Sequence, residues 1–105
     1  MPSPVVGEIS PTEFQARRVA GHDPYLLDVR EDWELAQSSV AGAAHIPMGE
    51  IPGRLAEIPR DREVVVLCQG GVRSLQVARY LAAQGIQPVH NLTGGIVRWA
   101  AELGL

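Results

Sequence analysis

The sequence contains a single cysteine and no lysine, and these scarcities narrow its possible chemistry. One cysteine cannot form a disulfide within the chain and cannot build a cysteine-rich metal site. The three histidines, His22, His45 and His90, are far apart and lack the spacing of metal ligands. The sequence therefore predicts no metal site, and a second thiol would have to come from another molecule.

The sequence also has fewer basic than acidic residues. Nine arginines face twelve acidic residues, which gives a formal net charge of −3. This balance argues against a nucleic-acid partner and against binding to an anionic membrane surface. No apolar run is long enough to cross a bilayer, and residues 1–6 lack the charged and apolar regions of a signal peptide. We therefore expect a cytoplasmic protein with no membrane or nucleic-acid partner.

The sequence does have enough apolar residues for one core. Its 105 residues, 46% of them hydrophobic, suit a single domain over residues 1–105. Short apolar runs that read as strands alternate with helical patterns. Strands are expected over 5–9, 25–29, 44–46, 64–67 and 89–92, and helices over 10–21, 32–36, 51–58, 75–85 and 96–104. This order predicts an α/β fold, with a mainly parallel sheet covered by helices on both faces.

Cys68 follows the most apolar of these strands, where parallel sheets place their ligands. The segment after it reads Gln69-Gly70-Gly71-Val72-Arg73-Ser74 and leads into a helix. Such a turn aims backbone N–H groups at one point, and the helix N-terminus adds partial positive charge. With the Arg73 cation nearby, this pocket favours a thiolate and an anionic substrate. The alternative is a buried structural cysteine followed by ordinary turn glycines.

Four motifs carry a family resemblance. The segment from Cys68 to Ser74 resembles the active-site loop of single-domain rhodaneses, Cys-x-x-Gly-x-Arg-Ser. Residues 27–34, Leu-Asp-Val-Arg-Glu-Asp-Trp-Glu, resemble the family's Asp-Val-Arg segment with its following Glu. Residues 41–47 and 93–99 are similar to its Gly-Ala-x-x-Ile-Pro stretch and its Gly-Gly-x-x-x-Trp ending. The motifs stand in the family's order, but Ser38-Ser39-Val40 replaces the frequent Gly-His-Ile.

The resemblance implies a three-layer α/β/α domain around a central, mainly parallel five-stranded sheet. It also implies sulfur transfer, in which the Cys68 thiolate takes sulfane sulfur from a small anion such as thiosulfate. The persulfide then passes that sulfur to cyanide in vitro, or to a thiol or protein in the cell. Gln69, Gly70, Gly71, Val72, Arg73 and Ser74 would form the substrate cradle. Such a two-step transfer needs no metal or organic cofactor.

Other residues have open interpretations at this point. Asp28 and Arg30 either orient Arg73 at the rim of the pocket or form a local ion-pair network that supports the loop. Glu34 is expected to be structural, and Trp33 and Trp99 are expected in the core. Two further residues, Gly94 and Gly95, fit either a helix-start nest that faces the site or close backbone packing.

Three other functions compete with the sulfurtransferase. A phosphatase or arsenate reductase also surrounds a cysteine with an anion cradle, but those loops typically place five residues between Cys and Arg. Here four residues separate Cys68 from Arg73. A persulfide carrier for one partner protein would use the same cysteine. A binding module without activity is the last alternative, although degenerate rhodanese domains often lose the cysteine that this chain keeps.

Overall fold

A computed structural model describes residues 5–105; the segment 1–4, on which the signal-peptide expectation partly rests, lies outside them. Five strands alternate with four α-helices and two short 3₁₀ helices. The strands are β1 (Val6–Ile9), β2 (Tyr25–Asp28), β3 (Ala44–His45), β4 (Val64–Leu67) and β5 (Val89–Leu92). The helices are α1 (Pro11–Val19), α2 (Asp32–Gln37), α3 (Val72–Ala83) and α4 (Gly95–Leu103), with 3₁₀ turns over Met48–Glu50 and Pro52–Glu57.

All five strands run parallel, in the order β1-β5-β4-β2-β3. The predicted five-stranded parallel sheet is therefore confirmed. Every residue of the central strand β4 is buried, as its unbroken apolar sequence indicated. Because parallel strands end at the same edge, Asp28, Leu67 and Leu92 bring the carboxyl ends of β2, β4 and β5 together.

Successive residues of β4 point to opposite faces of the sheet and build two separate cores. On one face, Val64 and Val66 pack in a cluster with Val77, Ala78 and Leu81 of α3. On the other, Val65 and Leu67 share a cluster with residues of α1 and α4. There the rings of Phe14 and Trp99 lie 5.8 Å apart at 59°. The three-layer arrangement and the core position of Trp99 are as predicted.

The sequence features that predicted the start of α1 are also confirmed. The Ser10 hydroxyl accepts the Glu13 N–H at 3.1 Å, and the Glu13 carboxylate accepts the Ser10 N–H at 3.0 Å. This is the capping box predicted from the sequence. None of the helices among residues 5–105 is long and apolar enough to cross a bilayer.

Two expectations fail. The segment after β3 forms 3₁₀ turns with a kink at Arg54 rather than a regular helix, because Pro52 lacks an N–H and interrupts the pattern. Trp33 was expected in the core but is 64% exposed. Its neighbour Glu34 takes the inward position on α2, so the short helix turns the indole toward solvent.

The N-terminus of α4 is hydrogen-bonded directly to the Cys68 loop. The N–H groups of Ile96 and Val97 donate to the carbonyl oxygens of Cys68 at 2.9 Å and Gln69 at 3.2 Å. Gly95, the first residue of α4, has φ +60°, and a Cβ built on it would lie 2.5 Å from the Cys68 carbonyl oxygen. Close backbone packing, one of the two interpretations left open for this glycine, is what the structure shows.

Replacing Gly95 with alanine should destabilise the protein well beyond the backbone strain alone. Gly21 is the matched control, because its φ is +94° and nothing lies within 4 Å of an added Cβ. Gly21→Ala should cost about 1–2 kcal/mol from the left-handed conformation. Gly95→Ala adds a collision with two backbone carbonyls and should cost roughly 1–3 kcal/mol more. Urea unfolding of both variants measures the difference, and equal losses would contradict the packing argument.

Candidate active site

Cys68 is the first residue after β4, and its side chain lies at the floor of the loop that leads into α3. The residue is 1% exposed. The Gly71 N–H donates to its Sγ at 3.1 Å, and Sγ lies 3.2 Å from the Ser74 hydroxyl oxygen. The loop therefore curls around the sulfur, which accepts a backbone N–H from Gly71 and donates its S–H to the Ser74 hydroxyl oxygen.

Glycine is required where the loop turns into α3. Gly71 has φ +99°, and a Cβ on it would lie 3.2 Å from the Gly94 backbone nitrogen. Gly70, in contrast, has open space around it. The upper side of the loop, formed by Gln69, Gly70 and Val72, is exposed. The loop is thus open to solvent on this side while the cysteine stays covered at its base.

The surroundings of Cys68 favour its anion. Burial raises the pKa of the thiol, but hydrogen bonds oppose this effect. They come from the Ser74 hydroxyl and from the backbone N–H groups of Ser74, Gly71 and Gly70, and together they hold the pKa below its ordinary value. A lowered thiol pKa at a helix start is typical of a nucleophilic cysteine.

Arg73 is oriented by Glu34, a residue that the sequence analysis assigned only a structural part. Its Nη1 and Nη2 donate to the two Glu34 carboxylate oxygens at 2.7 and 2.8 Å. Arg73 keeps 34% of its side chain exposed, whereas Glu34 is buried. The paired guanidinium lowers the pKa of Glu34 to about 2. The cation expected beside Cys68 is thus held at the rim by a bidentate ion pair between α2 and α3.

Asp28 and Arg30 form a pair of their own. Both are buried, and the Arg30 guanidinium donates to Asp28 at 2.8 and 3.1 Å. Its Nη2 also donates to the Ser38 carbonyl at 2.8 Å, which ties the end of α2 to the carboxyl end of β2. Of the two roles left open, this is the local ion-pair network. It supports α2, which carries Glu34.

Asn91 is a second residue that the sequence analysis missed. It lies in β5, is 4% exposed, and accepts the Ser74 hydroxyl at 2.5 Å. Its amide nitrogen donates to the Gly71 carbonyl at 3.2 Å and to Glu8 at 3.3 Å. One signal could have found it, since an asparagine inside a buried apolar strand must satisfy its polar atoms somewhere.

Comparison with known proteins identifies relatives over nearly the whole chain. A family profile described as a rhodanese-like domain matches residues 10–102. A protein named sulfurtransferase, from Allochromatium vinosum, is 43% identical over 96 residues, which are 91% of this chain and 90% of that protein. The crystal structure of a rhodanese-like domain protein from Staphylococcus aureus matches with a TM-score of 0.84 and 33% identity, covering 90% of this chain and 91% of that one.

A third relative carries a more specific name. The thiosulfate sulfurtransferase GlpE of Coxiella burnetii is 30% identical over 84 residues, which are 80% of this chain and 78% of that protein.

The ion pair between Glu34 and Arg73 should make stability depend on pH below the ordinary Glu range. Since the folded-state pKa of about 2 lies below the ordinary 4.5, its contribution is complete above pH 4.5 and is lost as the pH falls toward 2. Glu34→Gln should lower the unfolding free energy at pH 7 by about 1–3 kcal/mol, as for loss of a charge-assisted pair. The same variant should lose less stability than the native protein between pH 4.5 and 2.

The control for this experiment is Glu57→Gln. Glu57 also binds an arginine through both oxygens, at 2.8 and 3.0 Å to Arg54, but this pair lies on the surface. Exposed pairs contribute little, so this variant should resemble the native protein. Chemical unfolding across the pH range measures both variants, and equal effects would show that burial of Glu34 is unimportant.

Proposed function

The chain belongs to the rhodanese-like domain family, and on that premise we propose that it transfers sulfane sulfur through a persulfide on Cys68. The donor is a small sulfur-containing anion such as thiosulfate. The acceptor is cyanide in vitro and a thiol or a partner protein in the cell. The observation that carries the proposal is the Cys68 sulfur itself, covered by its loop, in contact with the Gly71 N–H and the Ser74 hydroxyl.

The first half-reaction forms the persulfide. The Cys68 thiolate attacks the outer sulfur of thiosulfate, and a new bond forms between the two sulfur atoms. The bond from that outer sulfur to the sulfonate breaks, and sulfite leaves with the electron pair. The transferred sulfur then carries the negative charge, and N–H groups of the same loop are the donors proposed to stabilise it.

The second half-reaction returns the enzyme to its starting state. A nucleophilic acceptor attacks the outer sulfur of the persulfide, and the Cys68 thiolate leaves. Cyanide becomes thiocyanate by this step, and a thiolate acceptor becomes a persulfide. No electrons are gained or lost overall, so the cycle needs neither a metal nor an organic cofactor. The name of the Coxiella burnetii relative supports thiosulfate as a donor to test first.

A persulfide carrier that serves one protein partner remains the alternative within the same chemistry. It would use the same cysteine but would serve one protein partner and handle thiosulfate poorly. The exposed indole of Trp33 and the exposed side chain of Val72, 64% and 71% accessible, lie next in sequence to the paired Glu34 and Arg73. Both are exposed apolar side chains that an acceptor protein would contact under this alternative.

Replacing Cys68 with serine should abolish persulfide formation without disturbing the fold. The hydroxyl is nearly the same size as the thiol but is a much weaker nucleophile at neutral pH. Native protein incubated with thiosulfate should gain the mass of one sulfur atom, which a reductant or cyanide removes. Cys68→Ser should gain nothing, with an unchanged circular dichroism spectrum as control. Sulfur retained by a folded Cys68→Ser protein would place the nucleophile elsewhere.

Loop length should separate sulfur transfer from phosphoryl transfer. With four residues between Cys68 and Arg73, the donors converge close to the sulfur, while a phosphoryl group needs room for three equatorial oxygens. The native protein should therefore not hydrolyse aryl phosphates. Inserting one glycine between Gly70 and Gly71 should lower thiosulfate:cyanide activity by about 10²-fold, a typical cost of losing an oriented donor. Vanadate binding should improve in the same variant.

A glycine inserted after Gly21, in an exposed turn far from the loop in sequence, is the control for insertion itself. It should leave sulfur transfer near the native rate. Aryl phosphate hydrolysis through Cys68 in the native protein, or full sulfur transfer in the loop variant, would contradict loop length as the basis of selectivity.

A further inference from the structure

A chain of hydrogen bonds leads from the Cys68 sulfur through two buried residues to β1, the strand at the edge of the sheet. It runs from Cys68 to the Ser74 hydroxyl, then to Asn91, and ends at Glu8 on β1. Ser74 is completely buried and Asn91 is 4% exposed. Because water has little access to Ser74 and Asn91, the direction of each bond is decided by which partner can donate.

Asn91 has only one possible orientation in this chain. One end of its side-chain amide faces two acceptors, the Gly71 carbonyl oxygen at 3.2 Å and the Glu8 carboxylate at 3.3 Å. Two acceptors require the NH₂ group at that end. The Oδ1 atom must then face Ser74, and at 2.5 Å it must accept the hydroxyl proton.

Ser74 has a single proton to donate and two neighbours that compete for it. While the proton points to Asn91, the Ser74 oxygen presents a lone pair toward Cys68, which suits a thiol that donates its S–H. A thiolate has no proton to give, and it gains a hydrogen bond from Ser74 only when the hydroxyl turns toward sulfur. That rotation leaves the buried Oδ1 of Asn91 without a donor, which is unfavourable.

We propose that Asn91 is a positioning residue that fixes the direction of the Ser74 hydroxyl and thereby opposes loss of the proton from Cys68. The inference rests on the proposed role of Cys68 as nucleophile. Asn91 touches no reacting atom and acts only through Ser74. The loop backbone stabilises the anion, while the Asn91 amide opposes it by holding the hydroxyl, so the thiolate forms more readily when the hydroxyl is released to the sulfur.

The charged groups around the sulfur must be held constant in any test. Besides Glu8 on β1, they are Arg73 on α3 with its partner Glu34 on α2, and the buried Asp28–Arg30 pair at the end of β2. Arg98 on α4 lies against Gly94. Exchanging neutral Asn91 for a neutral residue changes none of these charges.

The experiment measures the pH midpoint of Cys68 alkylation by iodoacetamide in a double-mutant cycle. Asn91→Val removes the amide and introduces an apolar, β-branched side chain that suits a strand. The midpoint should fall by about one pH unit, a tenfold increase in the acid dissociation constant or about 1.4 kcal/mol. In a Ser74→Ala background, the same exchange at position 91 should leave the midpoint unchanged, because no hydroxyl remains to redirect.

Two results would overturn the proposal. One is a midpoint in Asn91→Val equal to or above the native value. The other is an equal fall in both backgrounds, which would assign the effect to the lost contact with the Gly71 carbonyl. The alkylation assay involves no sulfur donor, so absence of thiosulfate turnover would count against the proposed function alone.

A second measurement requires no variant. The side-chain amide resonances of Asn91 in the native protein should shift with pH at the same midpoint as alkylation, because its oxygen loses the Ser74 donor when the thiolate forms. Amide resonances that stay constant across that midpoint would also overturn the proposal.

Discussion

Two backbone hydrogen bonds hold the Cys68 loop in place, those from Ile96 and Val97 at the start of α4 to the carbonyl oxygens of Cys68 and Gln69. They satisfy N–H groups that a helix start otherwise leaves open. They also fix the direction of the peptide units on either side of the cysteine. With these carbonyls turned toward α4, the N–H groups further along the loop turn toward the sulfur, and that of Gly71 donates to it.

The sheet brings the partners of this loop to one place. Parallel strands end at one edge, so β2, β4 and β5 bring a buried ion pair, Cys68 and Asn91 to adjacent positions. Burial and hydrogen bonding act in opposite directions on the pKa of the Cys68 thiol. Burial raises the pKa of the Cys68 thiol, while hydrogen bonds with the Ser74 hydroxyl and with the loop backbone lower it. The nearby Arg73 cation is paired with Glu34.

The sequence made the locally encoded features predictable. The capping box at Ser10 and Glu13, the buried strand β4 and the loop after Cys68 depend on residues close together in the chain, whose spacing carries the signal. The partners across the fold were not predictable in this way. Arg73 and Glu34 are separated by 39 positions, and Ser74 and Asn91 by 17. Trp33 was placed wrongly because a large aromatic suggests a core, whereas the helix uses its inward position for a carboxylate that meets Arg73.

The two tryptophans report on different parts of the molecule. Trp99 is packed against Phe14 between α1 and α4, and Trp33 stands in solvent one residue from Glu34. Their fluorescence must therefore differ in emission wavelength and in access to soluble quenchers. The blue-shifted component follows the packing between α1 and α4, and the red-shifted component follows what approaches the exposed side of α2. The chain thus carries two intrinsic fluorescent probes, one that reports on folding and one that reports on molecules approaching the surface of α2.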